Sequence, residues 1–139
     1  MRVYFDASVL IAALLSPSGG SALLLKYLKS KRLIGITSQT ALEEIFDKTE
    51  KLKRSQDEVE QFIADSSLLV RESISIEEIN PYQNAVHRED AHLIAGAFLT
   101  KSTHLVTLDK KHLLREEVQK KFSSLRIVSP KDLLEKIIK

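Results

Sequence analysis

The chain has 139 residues, 43% of them apolar and 29% charged, which is the composition of one folded domain with its own core and excludes a disordered or two-domain chain. It has no cysteine, so disulfides, iron–sulfur clusters, thiolate zinc sites and a cysteine nucleophile are excluded, and a cytoplasmic protein is expected. Net charge is +2, but the last 39 residues hold ten Lys/Arg against five Asp/Glu, a basic tail on a slightly acidic body. That asymmetry suits an anionic partner approaching from one side and is far weaker than the basic stripe of a dedicated DNA-binding module.

At the N-terminus, Met1-Arg2, an apolar stretch to Leu15 and Ser16-Pro17-Ser18-Gly19-Gly20 have the outline of a signal peptide. Asp6 in the middle of the apolar stretch argues that the segment belongs to the fold. No run approaches the ~20 apolar residues of a membrane span, so no membrane partner is expected. Short apolar runs at 3–5, 33–36, 68–70, 105–108 and 125–128 are continuous rather than alternating, which predicts strands buried on both faces of a parallel sheet. Between them lie stretches of helical period. Ala22 to Leu28 predicts a helix capped by Ser21. Ala41, Leu42, Ile45, Phe46 and Leu52 share one helical face, and Val59, Phe62 and Ile63 mark another helix. Residues 73–86 read as an irregular connection. Leu93, Ile94, Ala97 and Phe98 give a strong helix, and Pro130 at a first helical position opens a closing one. Strands alternating with helices predict a single α/β domain over residues 1–139, with a mostly parallel sheet of about five strands between helical layers.

Several carboxylates are not explained by this pattern. Asp6 ends the first run and Asp109 the fourth. In an open parallel sheet, ligands bind at the carboxyl ends of strands near a topological switch point, so these two acids can share a crevice. Starting a turn or capping a helix is the alternative for each. Asp90 shares, to within about 10°, the direction on which Leu93, Ile94, Ala97 and Phe98 centre, so a charge points where the core lies. Free N–H groups at a helix start would be the structural reason for it. Its neighbour Glu89 falls off that stripe. Glu43 and Glu44 each lie about 130° from the apolar centre of their helix, and periodicity does not choose between them. His87, His92, His104 and His112 show no paired metal spacing and read as surface residues. Lys110, Lys111 and Arg115 could hold a phosphate backbone or simply start an exposed helix.

Asp6-Ala7-Ser8-Val9-Leu10 after the first strand, a glutamate on the second-strand helix, Asp90 with Ile94 and Ala97 behind it, Leu105-Val106-Thr107-Leu108-Asp109 and the closing strand and helix together resemble the PIN domain. The resemblance is collinear and covers nearly the whole chain. It implies a flavodoxin-like α/β/α fold and a metal-dependent ribonuclease, as in VapC-type toxins of prokaryotic toxin–antitoxin pairs or in RNA processing. Its acidic site falls on Asp6, Glu44, Asp90 and Asp109. Glu44 is preferred to Glu43 because a glutamate followed by an aliphatic residue is expected six positions after a serine, as in Ser38, Glu44 and Ile45. Ser8 and Thr107 match the hydroxyls that support the first and last aspartates. Ala7 and Leu108 depart from the commoner pattern, which has threonine at the first position and a small or polar residue at the second.

Four carboxylates in one pocket repel and raise one another's pKa values unless a cation neutralises them. Hard oxygen donors select Mg²⁺ or Mn²⁺. The resemblance thus implies Asp6, Asp90 and Asp109 as metal ligands, Glu44 as a more distant member, RNA as substrate, an antitoxin partner and a homodimer, for which the apolar first helices offer a surface. Two other readings compete. One is a PIN domain that binds RNA or a partner without turnover. The other is an aspartate-dependent phosphatase, whose second acidic residue would stand where this chain has Ser8.

Overall fold

The computed structural model describes residues 1–138. Five strands, β1 (Arg2–Phe5), β2 (Ile34–Ser38), β3 (Leu69–Arg71), β4 (His104–Val106) and β5 (Arg126–Val128), pair in parallel in the order β3-β2-β1-β4-β5. Val3, Tyr4 and Phe5 are wholly buried because β1 is central and both sheet faces are covered. Its register sets Tyr4 opposite Ile36 and Leu105, and Phe5 opposite Val106.

The pleat sends alternate side chains to two cores. On one face Val3, Phe5, Val106 and Val128 meet α1 (Ala7–Leu15), α2 (Gly20–Lys29), α3 (Gln39–Phe46), a short α4 (Thr49–Leu52), α5 (Gln56–Asp65) and, at the chain's end, α9 (Pro130–Ile138). On the other, Tyr4, Ile36, Leu105 and Ile127 meet α7 (Ala91–Leu99) and α8 (Glu116–Lys121), which follow a short α6 (Ile76–Ile79). The three-layer α/β/α architecture expected from the apolar runs is the one found. Among the described residues no single helix is long and apolar enough to cross a membrane; α1 and α2 meet at 101° and bury Val9, Leu10 and Leu24 in the core.

Four local expectations need correction. Strand β3 is an edge, so its continuous apolar run is not buried on both faces, and Leu69 and Val70 are exposed. The cap of α2 is Gly19 rather than Ser21, which is already helical and buried. The face shared by Ala41 and Leu52 belongs to two helices, because after Phe46 the chain tightens, with the Lys48 N–H donating to the Ile45 carbonyl. The connection at 73–86 contains α6, stapled by a reciprocal capping box between Ser75 and Glu78, and a 3₁₀ turn at Asn80–Tyr82.

Candidate metal centre

The chain runs from β1 to β3 on one side of β1 and returns as β4 on the other, so the switch point lies between β1 and β4. Asp6 leaves the carboxyl end of β1 and Asp109 the loop after β4. Asp6 is buried, and although it precedes α1 its side chain makes no capping hydrogen bond. Its Oδ2 instead accepts from Thr107 Oγ1 at 2.7 Å and from Ser8 Oγ at 2.9 Å. The same two hydroxyls accept in turn from the backbone: Thr107 Oγ1 from the Asp109 N–H at 3.0 Å, Ser8 Oγ from the Leu108 N–H at 3.2 Å. Ser8 and Thr107 therefore lace the end of β1 to the loop that carries Asp109. Strand β4 ends at Val106, so Thr107 is a loop residue with its hydroxyl turned onto Asp6 rather than a strand residue chosen for propensity. Burial raises the Asp6 pKa above the usual carboxylate range, opposed by the hydroxyls of Thr107 and Ser8 and reinforced by the charge of Glu44.

Asp90 stands at the start of α7 and does not cap it. Its Oδ2 is buried and has no hydrogen-bond partner. Burial, followed by the charges of Asp109 and Asp6, pushes its pKa up to about 7. The helix N–H explanation for this carboxylate does not hold. Glu89 is exposed, as its helical phase predicts. Asp109 is half-buried; its Oδ1 accepts from the His112 N–H at 2.9 Å, so it also shapes the turn it starts.

Ser38 caps α3, accepting from the Ala41 N–H at 3.2 Å, and is tied to the sheet by the Tyr4 hydroxyl at 2.7 Å. Burial pushes that phenol up to about 12, which keeps it a donor. The capped helix carries Glu44 toward Asp6, while Glu43 is exposed. Glu44 Oε1 lies 2.6 Å from His92 Nε2. Together with Asp90, Glu44 lines an open cleft of about 480 Å³ whose other acids are Glu43, Asp47 and Glu89. Asp6 and Asp109 thus lie at the carboxyl ends of β1 and β4, the charges of both act on Asp90, and that of Glu44 acts on Asp6. A buried carboxylate oxygen without a partner, among like charges that disfavour one another's ionisation, fits a divalent ion held by oxygen donors.

Sequence reasoning missed the histidines. His92 and His104 are buried rather than at the surface, and His92 holds Glu44. His112 Nδ1 lies 3.4 Å from Asp109 Oδ2 and 4.0 Å from Asp90 Oδ2, and its ring is 4.3 Å from that of His87. The available signal was spacing: His87 precedes Asp90, and His112 follows Asp109, by three residues, one helical turn in each case. Lys110 and Arg115 line a separate cleft of about 570 Å³ with Lys131, interleaved with Glu116 and Asp132. Lys111 is not part of that lining.

No curated protein matches the chain. Among solved structures it is similar to that of VapBC2 from Rickettsia felis bound to a DNA fragment from their promoter. The TM-score is 0.64 at 16% identity, over 93% of this chain and 98% of that one, a likeness of fold. The model of the PIN domain matches residues 2–111, a span that includes Asp6, Glu44, Asp90 and Asp109, and the chain therefore belongs to the PIN domain family, whose members are generally nucleases.

Proposed function

We propose that this chain is a Mg²⁺- or Mn²⁺-dependent ribonuclease that hydrolyses phosphodiester bonds of single-stranded RNA, acting as the toxin of a toxin–antitoxin pair. The observation that carries the reading is the buried Asp90 oxygen left without a partner, on a carboxyl that the charges of Asp109 and Asp6 disfavour from ionising. In this reading Asp6, Asp90 and Asp109 hold the ion. When bound, the ion supplies positive charge that stabilises the phosphate in the transition state and makes water more acidic. Ser8 and Thr107 fix the Asp6 carboxylate through its Oδ2. Glu44, steadied by His92, is placed to orient water, and Lys110, Arg115 and Lys131 of the separate basic cleft are contacts for the phosphate backbone.

The similarity to VapBC2 supports an antitoxin as the protein partner, and the exposed Leu15 and Leu23 on α1 and α2 support a second copy of the chain as another. Asp6→Asn and Asp109→Asn test the reading in a cleavage assay on single-stranded RNA with Mn²⁺. Each is expected to lower the rate by at least about 10²-fold, with an unchanged circular dichroism spectrum. Wild-type cleavage by both variants, or cleavage by the wild type that chelator does not stop, contradicts it.

A further inference from the structure

The two histidines beside the acidic cluster add a donor type that carboxylates lack. We propose that His87, Asp90 and His112 form a mixed nitrogen–oxygen site at which this chain binds a first-row transition-metal dication, of the Co²⁺ or Zn²⁺ kind, in preference to Mg²⁺. One ligand atom from each of the three lies within 4.8 Å of the others. Donors about 2.1 Å from a tetrahedral ion stand about 3.4 Å apart, so the side chains need to close by up to about 1.4 Å.

The histidines can make that movement. His87 is exposed, and its Nδ1 is engaged only by a long 3.4 Å contact from the Glu89 N–H. The chain behind them is fixed: the Asp90 N–H donates to the His87 carbonyl at 2.8 Å, and the His112 N–H donates to Asp109 Oδ1 at 2.9 Å. The buried Oδ2 of Asp90 has no hydrogen-bond partner and lies 4.0 Å from His112 Nδ1. An imidazole nitrogen supplies the selectivity, since Mg²⁺ keeps to oxygen donors whereas Co²⁺ and Zn²⁺ accept imidazole readily.

The site rests on the nuclease reading through Asp90, which it shares, and adds a second ion class beside the Mg²⁺ or Mn²⁺ of that reading, but its test does not depend on cleavage. Calorimetric titration of the full chain with Co²⁺ and, separately, with Mg²⁺ gives the ratio of the two affinities for the wild type, His87→Ala, His112→Ala and Asp6→Asn. The ratio is expected to fall at least about tenfold in each histidine variant and not to fall in Asp6→Asn, whose carboxylate the nuclease reading gives to the Mg²⁺ ion. The visible Co²⁺ spectrum should change in the histidine variants only. A ratio and spectrum unmoved by both histidine substitutions overturn the proposal and leave the nuclease reading standing. A histidine-dependent ratio in a chain that cleaves no RNA does the reverse. Both histidines lie at least partly in solvent, and equal melting temperatures confirm that the variants are folded.

Discussion

Asp6 is held on its Oδ2 by two hydroxyls. Removing the stronger bond with Thr107→Val keeps the shape, loosens the carboxylate and frees the Asp109 N–H; Mn²⁺ affinity measured by titration calorimetry should fall by about 10–100-fold, and by less in Ser8→Ala. Asp90 gives a prediction with a definite sign. Its pKa is raised from 3.8 to about 7, so between those values the metal-free fold holds a proton that the unfolded chain releases. Its contribution to stability is therefore full below about pH 4 and is lost as pH rises through about 7. In chelator, Asp90→Asn should remove that part of the slope and melt above the wild type at pH 8, while Mn²⁺ should restore the wild type only. Parallel pH profiles for the two proteins would contradict the assignment. Asp6 and Asp109 were legible in the sequence as acids at strand ends, and Asp90 by helical phase. Glu44 was not distinguishable from Glu43 by period, because both flank the same apolar face and only the Ser38 cap and the tertiary position of α3 separate them.

At the scale of elements, the sheet was legible because strands covered on both faces need apolar residues at every position, as Val3, Tyr4 and Phe5 show. The edge strand β3 carries the same pattern without the burial, since an apolar run does not reveal which neighbours it will have. Caps were readable in part. Ser55 with Glu58, and Ser75 with Glu78, form the capping boxes of α5 and α6, and the sequence reading named neither. The packing of α7 on β1 was hidden, because it depends on contact between distant segments. A Cβ on Gly96 would stand 2.4 Å from the ring of Tyr4, which is wholly buried and bonded to Ser38. Gly96→Ala should therefore cost about 1–3 kcal/mol in urea denaturation despite the better helix propensity of alanine, because the Tyr4 ring cannot retreat. A stabilised variant would show that α7 sits farther from the sheet.

At the scale of the whole molecule, the parallel order β3-β2-β1-β4-β5 joins segments a hundred residues apart at one end of the sheet, as the bond from Thr107 to Asp6 illustrates. The basic tail noted in the sequence is partly resolved into the cleft of Lys110, Arg115 and Lys131 beside this end. If that cleft carries the RNA backbone, Lys110→Ala with Lys131→Ala should weaken single-stranded RNA binding in fluorescence anisotropy and lower the salt slope by about 0.7 per lost phosphate contact. An unchanged slope would place the RNA elsewhere. The histidines escaped the sequence reading for the same reason that Asp90 and Asp109 meet: proximity came from topology, and the spacing of three residues on each side gained meaning only once the two segments were adjacent. The claim on which the account rests is that Asp6, Asp90 and Asp109 share a divalent ion. Crystals soaked in Mn²⁺ test it most directly: the account predicts an anomalous peak within bonding distance of all three carboxylates, and a well-ordered site with no such peak, or with Mn²⁺ bound only elsewhere, would contradict it.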